Sequence, residues 1–284
     1  MTDWKTRQNS DGGWAYHYGG QDANTGCSWT EPTVLVLLAQ AAWQGSDGDS
    51  FARGVRFVNS IARSDGGWSP QPGVEESTWV TALVALLPEG AIGAQQRLQA
   101  IKWLKERTGQ ESSWSYRFQQ WRNGDKQEYP EGWPWFPGAA AWVIPTSLGI
   151  LAFERALRHG ADDGWLRDRV QSGKKFLAGR MCADGGWNHG SSRALGRDGD
   201  SYPETTGIAL LALNGDRGPQ IERAKAAARK HLANCRTAEG IAWLRLGLAA
   251  HGEKAAAPVE SVFRTNMDAA LMSLADAPRN LLLG

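Results

Sequence analysis

Three carboxylates in this sequence open apolar segments in a common acid-x-Thr setting: Glu31-Pro32-Thr33, Glu76-Ser77-Thr78 and Glu204-Thr205-Thr206. A fourth start, Ile144-Pro145-Thr146, has an aliphatic side chain in place of the acid. Carboxyls gathered at one end of a helical assembly donate and accept protons when their surroundings retune their acidity. Glu204, Glu31 and Glu76 are therefore the candidate catalytic residues. Acids near helix N-termini are also stabilised by the helix dipole alone, and that structural role competes with the chemical one.

Aromatic residues cluster around the same starts. Trp29 and Trp79 flank two of them, and Tyr202 precedes Glu204. Trp133, Trp135, Phe136 and Trp142 fall in a long insertion before Thr146. Aromatic faces attract cations and pack on hydrocarbon, so Trp29, Trp79, Trp133, Trp135, Trp142 and Tyr202 are candidate substrate-binding residues. The insertion also reads as a cap sealed by its own rings. His17, His189, Cys27 and Cys182 lie in loops without metal-ligand spacing, so no metal is expected. Asp162-Asp163 reads as a helix cap. Lys126, Arg193 and Arg197 are loop cations that offer only a weak anion signal. No phosphate-binding loop, dinucleotide fingerprint or serine-hydrolase elbow occurs.

The elements that must hold these residues repeat. Asp11-Gly12-Gly13-Trp14 returns as Asp65-Gly66-Gly67-Trp68 and as Asp184-Gly185-Gly186-Trp187, with a weaker copy at Ser113-Trp114. Glycine supplies positive φ and close approach, Asp accepts backbone N–H bonds in the turn, and Trp covers helix ends while its N–H finds an acceptor. Each turn leads to an apolar helix, such as VLVLLAQAAW or GIALLAL. A helix apolar all round is buried all round. Amphipathic helices are expected between them, near 50–63, 92–107, 165–178 and 220–233. Further apolar helices are expected near 240–250 and 262–275. Buried inner helices alternating with amphipathic outer ones predict an all-α fold, an α/α toroid of five to six helical hairpins forming a single domain over 1–284. A linear solenoid is the rival, and its inner helices would be less apolar.

Composition narrows the function classes. The 284 residues include 15 Trp and 34 Gly, and the net charge is +1. That balance excludes a nucleic-acid partner. Three scattered Cys, with no secretory leader and no apolar run of membrane-spanning length, predict a soluble cytoplasmic protein. Shallow peripheral membrane contact remains compatible with this.

Gln8-Asn9-Ser10-Asp11-Gly12-Gly13-Trp14 resembles the QW repeat of squalene–hopene and oxidosqualene cyclases. The segment from Asp184 to Leu213 resembles the same family and the β subunits of protein prenyltransferases. Gly132-Trp133-Pro134-Trp135-Phe136-Pro137-Gly138 is similar to bacterial prenyltransferase and squalene oxidase repeat proteins. The resemblance is strongest over 8–215. It implies a class II terpene cyclase-like activity: acid-initiated cyclisation of an isoprenoid in a central apolar cavity. The proton-donating Asp of that family's motif falls on Glu204, with Tyr202 and Thr205 in place of its supporting acids and Ser201 and Tyr202 available to orient it. The zinc-binding His of the prenyltransferases falls on Pro203, and no Asp-x-Cys pair precedes it, Asp198 and Asp200 being followed by Gly199 and Ser201, so no cofactor is expected. Two alternatives stand beside the cyclase: a non-catalytic carrier of a hydrophobic ligand, and a partner-dependent prenyltransferase-like subunit.

Overall fold

The computed structural model describes residues 3–17, 26–43, 48–113, 118, 122, 130–161, 164–190, 193–194, 197–256 and 263–284. The helices are α1 (Thr30–Ala42), α2 (Gly48–Ser60), α3 (Val80–Ala85), α4 (Ala94–Lys105), α5 (Val143–Arg158), α6 (Gly164–Gly179), α7 (Pro203–Ala212), α8 (Pro219–Asn234), α9 (Ala238–Ala250) and α10 (Asn266–Asp276). A 3₁₀ turn at Gln110–Ser112 and a two-residue antiparallel ribbon, Arg193–Ala194 with Arg197–Asp198, complete the described elements.

The helices divide by pattern. Along α1 every residue from Val34 to Ala39 is buried, and along α7 every residue from Thr205 to Ala212. By contrast α8 buries only Ile221, Ala224, Ala227 and Ala228, a single stripe with water on the other side. The buried set α1, α3, α5, α7, α9 and α10 forms the inner ring, each helix against the next, with α10 returning to α1. Helices α2, α4, α6 and α8 wrap the outside. Glycine permits the tightest inner contact: a Cβ added at Gly207 on α7 would overlap the Trp243 and Leu244 backbone of α9. Each fully buried Leu or Ile contributes about 1.5–3 kcal/mol of transfer free energy.

Ring closure separates the toroid from the solenoid. Asn266 donates its backbone N–H to the Tyr16 carbonyl at 2.7 Å and its side-chain amide to the Ala15 carbonyl at 2.9 Å. Trp43 Nε1 reaches the Ser273 carbonyl at 3.0 Å. The expected α/α toroid is the observed fold. No helix among the described residues is long and apolar enough to cross a membrane.

The repeated turn is a staple with a fixed bonding pattern. The backbone N–H groups of Trp14, Trp68 and Trp187 donate to the hydroxyls of Thr33, Thr81 and Thr206 at 2.9, 2.9 and 3.0 Å. Their indole N–H groups donate to the carbonyls of Trp4, Val58 and Leu177, each ten residues earlier. The turn Asp caps the following glycine N–H and takes a Ser hydroxyl, as in Asp65 with Gly67 and Ser77. Gly12, Gly66 and Gly185 sit at φ 92°, 91° and 95°, where a side chain would be strained.

Two sequence expectations change here. The third staple is Glu131-Gly132-Trp133, whose N–H donates to Thr146 at 2.9 Å and whose indole reaches the Leu104 carbonyl 29 residues back. Of the expected copy at Ser113-Trp114, Trp114 lies outside the described residues. Trp133 is 2% exposed, with the Arg169 guanidinium 3.7 Å from its ring centroid. It is a core staple and cannot line a ligand site. In the second repeat the stapling hydroxyl is Thr81, not Thr78. The chain there tightens into i−3 bonds, Thr81 N–H to Thr78 and Ala82 N–H to Trp79, and α3 starts later than expected.

Candidate functional site

The staple aims two sets of side chains at one face of the ring. The second residue of the inner helices makes one set. The residue two past each staple Trp makes the other: Tyr16, Pro70, Trp135 and His189. Their carbonyls accept the N–H groups of Asn266, Thr30, Trp79 and Val143, each opening or flanking the start of an inner helix. Every repeat therefore hands one side chain to the mouth at the N-terminal ends of the inner helices.

Aromatic rings form the rim of that mouth. Tyr16 tilts against Trp29 with centroids 5.4 Å apart, Trp79 meets Trp135 edge-on at 4.9 Å, and His189 lies 5.2 Å from Tyr202. Trp29, Trp79 and Trp135 are half-buried, while Trp142 and Tyr202 are 37% and 47% exposed. All the predicted substrate-binding aromatics except Trp133 thus reach the mouth.

The second residue of an inner helix is Glu31 in α1, Ile144 in α5, Glu204 in α7 and Glu239 in α9. In the shortened second repeat Trp79 takes this place. Glu76 lies in the loop before it, exposed and out of register, so the prediction of Glu76 as a site residue is not met. Glu76→Gln is expected to change unfolding free energy by less than about 0.5 kcal/mol and to leave any activity at the mouth intact. A large loss of either would restore Glu76 to the site.

Glu31 and Glu239 are the perturbed acids. Part of Glu31 touches solvent, but its carboxyl is closely surrounded, and burial pushes it up to about 7 against the pull of a hydrogen bond from the Tyr16 hydroxyl. Burial first, then the charges of Glu31, Glu204 and Asp268, push Glu239 up to about 7 as well. The Tyr16 phenol is raised far above its usual range by burial and by Glu31, so it stays a donor. Glu204 has His189 Nε2 at 3.7 Å. Asp268 is committed as a helix cap, accepting the N–H groups of Arg264 and Thr265 at 2.8 and 2.9 Å. Ser201 does not orient Glu204: its hydroxyl is 2.7 Å from Asp184 and 2.6 Å from His231.

Glu239 is absent from the sequence-based site. Its signal was present: Thr237-Ala238-Glu239 opens an apolar helix with an acid at the second position, as Glu31 and Glu204 do. No Asp-Gly-Gly-Trp turn precedes it, so the repeat search passes over it. Among the described residues no three His, Cys, Asp or Glu side chains assemble as a metal site. Lys126, Asp162 and Asp163, and the side chains of Arg193 and Arg197, lie outside the described residues.

Below the mouth the hub is filled. Val34, Leu35, Val36, Leu37 and Leu38 are at most 1% exposed, as are Ile208 to Leu211 and Ile150 to Phe153. Such runs exceed a full helical turn, so they include the positions facing the axis. Zero exposure there leaves no water-sized space against those side chains. The apolar cavity expected at the centre is occupied by Leu, Ile and Val.

The paired acids make stability depend on pH. Glutamate titrates near 4.5 when unperturbed and near 7 at these two positions. Between those values the folded state holds the extra proton. Their contribution is full below about 4.5 and lost as pH rises through about 7. Unfolding free energy attributable to the pair should fall by about 1–3 kcal/mol from pH ~5 to pH ~8. Denaturant titrations of wild type and Glu239→Gln across that range check this. The variant should show the shallower decline, and an unchanged slope would contradict the assignment.

The fold and mouth define an α/α toroid with a carboxylate- and aromatic-lined opening. No family model and no curated protein matches the chain. Solved structures do. The type II terpene cyclase MstE from Scytonema superposes with TM-score 0.56 at 16% identity, covering 95% of this chain and 74% of that one. The family 8 glycosyl hydrolase endoglucanase Cel10 from Klebsiella pneumoniae gives 0.58 at 16%, covering 96% of each. A family 76 glycoside hydrolase (mannosidase) from Bacteroides thetaiotaomicron gives 0.58 at 11%, covering 94% and 92%. At such identities the likeness establishes the toroid fold, shared by cyclases and glycosidases alike.

Proposed function

We propose that the mouth is an acid–base active site that cleaves glycosidic bonds, with Glu239 donating the proton and Glu31 as its ionised partner. The observation that carries this reading is the electrostatically linked pair Glu31 and Glu239, both pushed up to about 7 by burial, within an aromatic rim over a filled hub. A carboxylic acid titrating near the working pH suits proton transfer to a leaving oxygen. Glu239 would protonate the bridging oxygen as the bond to the anomeric carbon breaks. The Glu31 carboxylate would offset the developing positive charge and take a proton from the attacking water. Trp142 and Tyr202 offer exposed flat faces on which a sugar ring can stack. Glu204 would keep Glu239 protonated through its charge. Two toroid neighbours, an endoglucanase and a mannosidase, are consistent with saccharide chemistry on this scaffold.

A second reading, acid-initiated cyclisation of an isoprenoid, is favoured by the Trp29, Trp79, Trp135 and Trp142 rim. Such rings stabilise cations. One neighbour was solved with geranylgeranyl dihydroxybenzoate as substrate. An isoprenoid would have to bind in the mouth, because the hub is packed. Alkene protonation also asks for a stronger acid than one titrating near 7.

The test is a turnover screen of wild type and Glu239→Gln on aryl glycosides and oligosaccharides, beside isoprenoid diphosphates and squalene. Glycoside turnover that Glu239→Gln abolishes supports the first reading. Product only from the isoprenoids transfers the site to the second. Glycoside turnover unaffected by Glu239→Gln removes Glu239 from the chemistry.

A further inference from the structure

The mouth contains a device that recurs in the ring. In the first and fourth repeats the residue two past the staple Trp lies beside the second residue of the same repeat's inner helix. Repeat one pairs Tyr16 with Glu31, and repeat four pairs His189 with Glu204. Trp135 and Ile144 take these positions in repeat three, where no acid is present to be served.

Tyr16 is also the point where the ring closes. Its carbonyl accepts the N–H of Asn266 at 2.7 Å, and the Ala15 carbonyl accepts the Asn266 side-chain amide at 2.9 Å. Asn266 is 1% exposed and is the first residue of the closing helix α10. The same two-bond dock recurs at α1, where Thr30 donates its backbone N–H to the Pro70 carbonyl at 2.8 Å and its hydroxyl to the Ser69 carbonyl at 2.6 Å. Packing of the Tyr16 ring against Trp29 fixes its remaining freedom.

We propose that Tyr16 is the positioning residue of the mouth: its hydroxyl pins Glu31 as the ionised carboxylate, so that the proton of the pair resides on Glu239, and Asn266 on the closing helix sets Tyr16 in place. This rests on the acid–base reading above. A phenol that stays protonated donates to a carboxylate and favours its charged form. Two coupled acids then share one proton unequally. The other charged and titratable groups nearby are Glu204 of α7 and Asp268 of α10, whose charges act on Glu239, His189 of the fourth-repeat loop, 3.7 Å from Glu204, and His231 of α8, which feels the charge of Glu204. Tyr16 places its hydrogen bond on Glu31, one member of the pair.

The experiment needs no substrate. Protein carrying ¹³C at the Glu side-chain carboxyls is titrated by NMR, with Glu31→Gln and Glu239→Gln assigning the two signals. In wild type Glu239 should be the higher-titrating acid. In Tyr16→Phe, which keeps the ring and removes the hydroxyl, the Glu31 titration should rise by about one pH unit or more, and Glu31 should become the higher. Asn266→Ala should move Glu31 the same way with a smaller shift, while Tyr16→Phe keeps the wild-type amide spectrum away from the seam. A Glu31 titration unmoved by Tyr16→Phe overturns the proposal, as does a Glu239 that titrates in the ordinary carboxylate range. A merely structural Tyr16 would leave the order of the two acids unchanged. Absence of glycoside turnover would overturn the acid–base reading without altering this titration.

Discussion

Trp187→Ala should destabilise the fold by about 3–5 kcal/mol, the cost of emptying a large aromatic site from a packed core. Trp187 has no exposed surface. Its indole N–H donates to the Leu177 carbonyl of α6 at 2.6 Å, and its backbone N–H donates to Thr206 of α7 at 3.0 Å. Its own carbonyl takes the Tyr202 N–H at 2.8 Å and the Thr205 hydroxyl. One residue thus ties an outer helix, an inner helix and the turn between them. Removing the ring leaves a cavity and strips the Leu177 carbonyl of its partner. Natural domains have only about 5–15 kcal/mol in total, so a large part of the stability is lost. Trp142→Ala, on the exposed rim, should cost under about 1 kcal/mol by the same denaturant measurement. Equal losses for the two would mean that the staple is not the structural unit.

Glu239→Gln should lower the glycoside-cleaving rate by about 10²–10⁴-fold, the range for a positioned general acid. The shape of the pH dependence is as informative as the size. Activity that requires protonated Glu239 falls as pH rises through about 7, where this acid titrates. It also falls at lower pH as Glu31 takes up a proton, which gives a bell whose limbs belong to the coupled pair. The amide of Gln cannot donate an acidic proton, so Glu239→Gln should lose the alkaline limb along with the rate. Glu204→Gln removes one of the charges that keep Glu239 protonated. It should shift the alkaline limb to lower pH and leave most of the rate. A full loss of rate in Glu204→Gln with an active Glu239→Gln would return the proton to Glu204.

Much of this architecture is legible in the sequence because it is periodic. Residues such as Val34 to Ala39 lack a polar face, and that alone demands burial on all sides. The three Asp-Gly-Gly-Trp copies mark their staples because only glycine fits the positive φ at Gly12, Gly66 and Gly185. The same periodicity hides the exceptions. Trp133 lies 29 residues from its acceptor where the others lie ten, so the insertion disguises the third staple as an aromatic wall. A tightened first turn moves the second repeat off register and makes Glu76 look like a counterpart of Glu31. Glu239 has no turn motif before it, and its perturbation comes from burial first and then from acids distant in sequence, on α1, α7 and α10. Whether the hub is hollow depends on side-chain volumes meeting at the axis, which a hydrophobic pattern does not encode.

The most direct test of where and how this protein works is a crystal structure of the Glu239→Gln variant with a saccharide bound. The account predicts sugar density in the mouth, a ring stacked on Trp142 or Tyr202, and the bridging oxygen within about 3 Å of the amide that replaces the Glu239 carboxyl. It would be contradicted by ligand density threading the hub between α1 and α5, which would require the packed core to open and would place the chemistry away from the paired acids.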